Sequence, residues 1–296
     1  FAIAWVPKVL GTLEATGVEL TNIAQVFQKS GTLQVSWADS GISSVADFED
    51  KRIGSWGFGN EWEIFAAMAD KGLDASTVQI TTQDFSMNAL LDRDVDAAQA
   101  MTYNELAQLL ETVDPATGEL YTMDDINVIS YEDTAGAMLQ DAIWADTQRL
   151  SDDPAYADAA TRFLKAVIKG WVFARDNPTE AADITYAAAT APNVSAFPVG
   201  PVHQLWQMNE VNKLIWPSDN GPGIVDPEAW DRTVEIALNT PNLEGATVLT
   251  EEPSDDAYRT DIATEALELL AELGIPVAVT GEVYQPIEVT LNEGGA

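Results

Sequence analysis

RIGSWGFGNEWEIFAAMADKG, residues 52–72, contains a predicted strand, turn and helix in immediate succession. Arg52–Trp56 is a short strand-like run, and glycines mark the turn that follows it. Apolar side chains then recur at the i, i+3, i+4, i+7 spacing of a helix that buries one face: Trp62, Phe65, Ala66 and Ala69. We expect Asn60 to cap this helix, Glu63 to complete a capping box, and Gly72 to end the helix.

The same alternation of strands and helices extends on both sides of this unit, from residue 1 to about residue 132. It predicts an α/β fold in which mainly parallel sheets are flanked by helices. Beyond residue 133 the pattern is mostly helical. The sequence pattern changes near residue 39 and again near residue 133. These two changes predict a discontinuous first lobe, residues 1–38 and 133–296, and an inserted second lobe, residues 39–132. Thr32–Trp37 and Ile126–Tyr131 are the predicted crossings of a two-strand hinge.

The charge and the residue inventory exclude several classes of function. With 48 acidic and 14 basic side chains, the chain has a formal charge of −34. Such a surface is repelled by phosphate backbones and anionic lipids, so we expect no nucleic-acid or membrane-surface binding. The acids are spread along the whole chain, which favours a solvated surface over a dedicated cationic partner.

Cysteine is absent and His203 is the only histidine. This inventory provides no thiolate nucleophile, disulfide or Cys/His zinc site. We therefore predict no catalytic residue, no metal and no cofactor, and we interpret His203 as a hydrogen-bonded or surface imidazole. The abundance of carboxylates leaves a glycosidase-type acid pair open as an alternative.

The loops that follow the predicted strands form the candidate site, because ligands bind at the carboxyl ends of strands in open α/β sheets. Aromatic side chains recur in these loops and stack on flat rings, while the amides and carboxylates beside them pair with ring N–H and amino groups. Basic residues are nearly absent from these loops, with Lys8 as the exception. Binding sites for sulfonate or phosphate normally contain arginine. We therefore predict a neutral or weakly cationic heteroaromatic ligand, although any single aromatic residue has core packing as its alternative. The predicted contacts are Trp5, Asn60, Glu61, Tyr103, Asn104 and Glu105, with Trp206 and Asn209 as weaker candidates.

Six segments carry a family likeness: FAIAWVPKVL (1–10), NIAQVFQKSGTLQVSW (22–37), SVADFEDKRIGSWGFGNEWE (44–63), DVDAAQAMTYNE (94–105), WQMNEVNKLIWP (206–217) and YQPIEVTLNEGG (284–295). They resemble the extracytoplasmic solute-binding proteins of ABC importers, in the subgroup that binds the thiamine pyrimidine precursor and riboflavin. The resemblance implies a two-lobed periplasmic-binding-protein fold of type II, with the ligand clamped between the lobes. It also implies a monomer outside the cytoplasm, periplasmic or lipid-anchored, with a membrane permease as partner.

The same resemblance implies that family members carry a strand–helix–strand unit of about 50 to 60 residues ahead of the segment that matches residues 1–10. It also suggests rival functions. One is an enzyme similar to the eukaryotic pyrimidine precursor synthase, or a carboxylate-based hydrolase; another is a sensing or structural member without a transported ligand. The synthase carries a cysteine-rich motif and a histidine, and a chain without cysteine argues against it.

Overall fold

The protein is built from two sheets with helices on their faces. The computed structural model describes residues 1–192, 194, 200–274 and 284–296. The strands are β1 (Ala2–Trp5), β2 (Leu20–Gln25), β3 (Thr32–Trp37), β4 (Arg52–Ser55), β5 (Gln79–Thr82), β6 (Ala97–Met101), β7 (Ile126–Ser130) and β8 (Asp141–Asp146). The helices are α1 (Val6–Thr16), α2 (Trp62–Asp70), α3 (Asn88–Leu91), α4 (Glu105–Leu110), α5 (Thr147–Asp152), α6 (Pro154–Asp176), α7 (Pro178–Ala189), α8 (Pro201–Ile215), α9 (Pro227–Asn239) and α10 (Asp261–Glu272).

The two sheets have strand orders β1-β8-β2 and β5-β4-β6-β3-β7. In the first, β8 runs antiparallel to both neighbours, which places Trp5 opposite Asp141. In the second, β5, β4 and β6 are parallel, and β3 runs against both β6 and β7. The α/β class is thus confirmed, while the pairing is mixed because one reversed strand lies inside each sheet.

The chain passes between the sheets twice, through residues 26–31 and residues 131–140. The predicted hinge strands β3 and β7 lie side by side within the five-stranded sheet. All six residues of β3 are buried, so this strand belongs to the interior of that sheet, although we assigned it to the first lobe. The division into two lobes remains a prediction.

One apolar core is shared by the two sheets. It contains Leu10 of α1, Ile64 of α2, Trp144 of β8 and Trp230 of α9. A second cluster, with α6 and α10, covers the other face of the three-stranded sheet, and a third, with α3 and α4, covers the other face of the five-stranded sheet. Within the described ranges, no helix is both long enough and apolar enough to span a membrane.

The start of α2 differs from the predicted capping box. Glu61 occupies the N-cap, and its side chain makes no capping hydrogen bond to the helix. Asn60 Nδ2 instead donates to Gly57 O (2.7 Å). The Glu63 carboxylate is buried, and its Oε1 accepts a hydrogen bond from the Ser30 hydroxyl (2.6 Å). Ser30 lies 33 positions away in sequence. A long-range partner has therefore replaced the local one.

The end of α2 follows the prediction closely, because Gly72 lies just past the helix with φ +71°. The strand expected over 137–145 begins only at residue 141. The sequence also suggests an extended tail over 278–291; residues 278–283 lie outside the described residues, and residues 284–291 form no helix or strand.

Candidate functional site

A cavity of about 400 Å³ lies between the end of β1 and the loops of the five-stranded sheet. Its lining residues are Ala4, Trp5, Lys8, Trp56, Asn60, Phe85, Met101, Tyr103, Asn104 and Glu105. Trp5 and Met101 end strands and Trp56 follows one directly, while Asn60, Phe85, Tyr103 and Asn104 lie in the loops beyond strands, as the strand-end rule favours. The cavity therefore receives side chains from elements of both sheets.

Five of the eight predicted contacts line this cavity, namely Trp5, Asn60, Tyr103, Asn104 and Glu105. The other three lie outside it. Glu61 accepts the backbone N–H of Gly59 (3.0 Å) and so braces the turn. The structure thus gathers most of the candidate set, while its role in binding stays a prediction.

Trp206 and Asn209, both on α8, contact other parts of the chain. The Trp206 Nε1–H donates to Thr102 O (2.9 Å) and thereby supports the backbone next to Tyr103. Asn209 is buried, and its Oδ1 accepts the backbone N–H of Ile287 (2.9 Å). Both side chains serve packing contacts in this structure.

Asn104 and Glu105 form a hydrogen-bonded pair at the N-terminal end of α4. Asn104 Nδ2 donates to Glu105 Oε1 (2.9 Å), and Glu105 Oε2 accepts the backbone N–H of Met101 (2.9 Å). Burial raises the pKa of Glu105, although the Met101 N–H opposes that shift. Each carboxylate oxygen keeps a lone pair, and the Asn104 amide keeps one N–H, so the pair presents an acceptor beside a donor.

Tyr103, next to Asn104 in sequence, also lines the cavity. Its ring meets that of Phe27 edge-on at 6.0 Å between centroids. Burial raises the pKa of its hydroxyl, and the nearby charges of Asp141 and Glu105 raise it further. Tyr103 therefore stays a neutral phenol, able to donate as well as accept.

The basic residue Lys8, on α1 directly after β1, also lines the cavity. Burial lowers the pKa of Lys8, while the carboxylates of Glu61 and Asp141 offset part of that effect. Its Nζ lies 5.5 Å from the ring centroid of Trp5. The Trp5 Nε1–H in turn donates to Asp141 Oδ2 (3.2 Å), and burial raises the pKa of Asp141. Among the described residues that line the cavity, Lys8 is the one basic side chain, and carboxylates counter its charge.

Two aromatic residues missing from the predicted contacts complete the wall. Trp56 is buried, whereas Phe85 is 56% exposed, and their rings stack at 6.1 Å with 25° between planes. Phe85 follows β5, so the strand-end rule could have found it. Asp141 gave no such signal, because only the antiparallel pairing of β8 with β1 brings it beside Trp5.

His203 does not line the cavity. It is 1% exposed and contacts Glu111 and Asn104, in agreement with its interpretation as a hydrogen-bonded imidazole. In the described part of the chain, no group of three or more His, Asp or Glu side chains is arranged to hold a metal ion. The aromatic and polar side chains that line the cavity are the kinds that stack on a flat ring and pair with its polar edge.

Comparisons with solved structures agree with this architecture. A protein described as the periplasmic sulfonate-binding protein SsuA of an ABC transporter, from Methylobacillus flagellatus KT, is similar with a TM-score of 0.58 and 14% identity, covering 96% of this chain and 76% of that chain. The desulfurization enzyme DSZB is similar with a TM-score of 0.54 and 13% identity, covering 90% and 84%. A Candida albicans protein with the generic periplasmic-binding-protein fold has a TM-score of 0.51 and 15% identity, covering 90% and 77%.

Identities this low show a common fold and carry no ligand or activity across. No curated protein matches the chain in sequence. The family model described as NMT1/THI5 like matches residues 1–181, more than half of the chain. With its two helix-flanked sheets and a periplasmic-binding-protein fold, the chain belongs to the NMT1/THI5-like family.

Proposed function

We propose that this protein is the extracytoplasmic solute-binding subunit of an ABC importer. It captures a small heteroaromatic nutrient between two lobes, as a monomer, and delivers it to a membrane permease. The observation that carries the proposal is the cavity lined from both sheets, with Trp5 on one side and Tyr103 on the other. A ligand that touches both sides favours the closed arrangement, because only that arrangement offers all of its contacts.

The polar edge of the cavity supports an aminopyrimidine as the ligand. Asn104 offers an N–H donor next to the carboxylate acceptor of Glu105. A ring nitrogen accepts from such a donor, while the adjacent exocyclic amino group donates to such an acceptor. Trp5, Trp56 and Tyr103 supply aromatic surface for the ring itself.

The size and charge of the cavity distinguish further among the candidate ligands. A volume of about 400 Å³ lies toward the small end of ligand sites, which span roughly 300–1,000 Å³. That favours the compact thiamine pyrimidine precursor over a riboflavin-like ligand. An anionic ligand such as a sulfonate is disfavoured, because the carboxyl groups of Asp141 and Glu105 outnumber the Lys8 cation among the described residues around the cavity.

In this proposal no bond is made or broken. The fold also occurs in an enzyme, DSZB, so turnover is the discriminating measurement. The chain has no cysteine, and the imidazole of His203 is engaged behind the cavity wall. Neither a thiolate nor a free imidazole is therefore presented to a ligand here.

The test is isothermal titration of the full chain with the thiamine pyrimidine precursor, riboflavin and an alkanesulfonate, together with product analysis. We expect the pyrimidine to bind most tightly, without product. At about 100 times its dissociation constant it should stabilise the fold by about 2.7 kcal/mol in a thermal-shift assay. Multiple turnover would overturn the binding role, and binding of the sulfonate alone would overturn the ligand class.

Tyr103→Ala and Tyr121→Ala form a matched pair of variants. Tyr103 lines the cavity, whereas Tyr121 packs on Trp37 with 4.8 Å between ring centroids. We expect Tyr103→Ala to weaken pyrimidine binding about tenfold, since an aromatic contact contributes roughly 1 kcal/mol beyond its buried area. Tyr121→Ala should leave affinity unchanged. Equal affinities in the two variants would place the ligand elsewhere.

A further inference from the structure

The chain's only histidine is buried directly behind the cavity residue Asn104. His203 belongs to α8, and Asn104 and Glu111 flank the two ends of α4. The imidazole Nε2 lies 3.1 Å from Asn104 Oδ1, and Nδ1 lies 2.9 Å from Glu111 Oε2 and 3.1 Å from Glu111 Oε1. The ring thus contacts the residues that flank α4 at both of its ends.

Both ring nitrogens face oxygen acceptors. The Asn104 amide donates through Nδ2 to Glu105, which turns its Oδ1 toward His203. Gln108 Nε2 donates to the same Oδ1 (3.2 Å). An imidazolium ring, with a proton on each nitrogen, satisfies both Asn104 and the Glu111 carboxylate, whereas a neutral ring sets one lone pair against an oxygen.

The turn over residues 293–295 covers the contact between His203 and Glu111. A Cβ on Gly295 would lie 2.7 Å from His203 Cβ and 2.9 Å from Glu111 Oε1, so the glycine backbone packs directly on both side chains. His203 and Glu111 are 1% and 6% exposed. A hydrogen-bonded pair kept from water in this way holds its geometry tightly, because breaking it would leave buried polar groups unsatisfied.

We propose that His203, held by Glu111, is a positioning residue that fixes the orientation of the Asn104 amide for ligand recognition. With this orientation the cavity receives an N–H beside the Glu105 carboxylate. With the amide reversed, its oxygen would face that carboxylate, and the edge would lose its donor. The inference rests on the proposed function, since it assigns the donor–acceptor preference of the same cavity.

The first test needs no ligand. A single histidine gives a single imidazole signal set, so nitrogen-15 labelling of histidine reads out His203 alone. We expect both ring nitrogens of the wild-type chain to carry protons that exchange slowly with solvent. In Glu111→Gln, an amide oxygen accepts from Nδ1–H without requiring a cationic ring, and we expect one protonated nitrogen. A wild-type ring with a single proton overturns the proposal.

The second test compares two probes, 4-amino-2-methylpyrimidine and 2-methyl-4-pyrimidinone, by isothermal titration. They present opposite donor–acceptor edges. Glu111 does not line the cavity, yet we expect Glu111→Gln to lower the preference for the amino probe about tenfold or more, because the Asn104 amide is free to reverse. The control substitution is Met208→Ala, on α8 like His203, where Met208 packs near Ala181 and Ala182. It should lower the unfolding midpoint while keeping the preference for the amino probe.

An unchanged preference in Glu111→Gln overturns the positioning role, as does an equal change in Met208→Ala. If the wild-type chain binds neither probe, the proposed function fails at that step. The ligand-free histidine spectrum then still decides how the Asn104 amide is held.

Discussion

Replacement of Glu63 by Gln should make the protein more stable at pH 8 and change little at pH 4.5. The Glu63 carboxylate joins both segments that connect the sheets, since Oε1 accepts from the Ser30 hydroxyl (2.6 Å) and from the backbone N–H of Met138 (3.3 Å). Its Oε2 is buried without a hydrogen-bond partner among the described residues. Burial raises the pKa of Glu63 from 4.5 to about 7, and the nearby Glu132 adds to the effect.

The magnitude follows from linkage between protonation and folding. A pKa raised in the folded state means that the native protein binds a proton more tightly than the unfolded chain does. The resulting stability is fully present below pH 4.5 and is lost as pH rises toward 7. One pKa unit corresponds to about 1.4 kcal/mol, so ionising Glu63 costs the fold about 3 kcal/mol. Glu63→Gln avoids this cost.

The assay is urea unfolding of wild type and Glu63→Gln between pH 4.5 and pH 8.5. The stability difference should grow by about 3 kcal/mol over this range, while the titration of the other acidic residues cancels in the comparison. Glu180→Gln removes the same charge from the exposed surface of α7 and accounts for the change in net charge. A difference that stays constant with pH, or that shrinks as pH rises, would refute the reasoning.

Three further substitutions test other parts of the fold by urea unfolding. Asp47→Asn should lose stability at neutral pH, because the backbone N–H of Ser43 and the hydroxyl and N–H of Ser44 hold the pKa of Asp47 low. The loss should vanish as pH falls through that lowered pKa, and a pH-independent loss would contradict this. Gly136→Ala should lower the free energy of unfolding by about 1–3 kcal/mol, because the new Cβ would clash with the backbone oxygen of Glu63. Wild-type stability would mean that the backbone around residue 136 shifts to avoid the clash. Leu164→Ala should cost about 2–5 kcal/mol, since Leu164 is fully buried, and a smaller loss would mean that the core collapses around the gap.

Much of the local structure could be predicted from spacing alone. The apolar positions of α2 and the glycine that follows this helix gave boundaries within a few residues of those observed. Both features are local, because a helix face repeats every three or four residues and glycine favours the left-handed conformation that ends a helix. The strand-end rule likewise brought Trp5, Tyr103 and Asn104 to one cavity.

Other features depended on contacts distant in sequence. Glu63 had the spacing of a capping residue, but Ser30 and Met138 offered it buried donors that no local rule anticipates. Phe85 and Trp56 completed the aromatic wall from separate loops. His203 has no sequence pattern that links it to Asn104, 99 positions earlier.

The sequence by itself determined the α/β class, the absence of thiol chemistry and the aromatic, polar character of the strand-end loops. These properties follow from composition and short-range periodicity, which the chain carries wherever it folds. Only the tertiary structure decided which strands are neighbours. The reversed strand β8 put Asp141 beside Trp5, and the packing of α8 against α4 put His203 behind Asn104. Such pairings depend on long-range burial and hydrogen bonding, which no single stretch of sequence encodes.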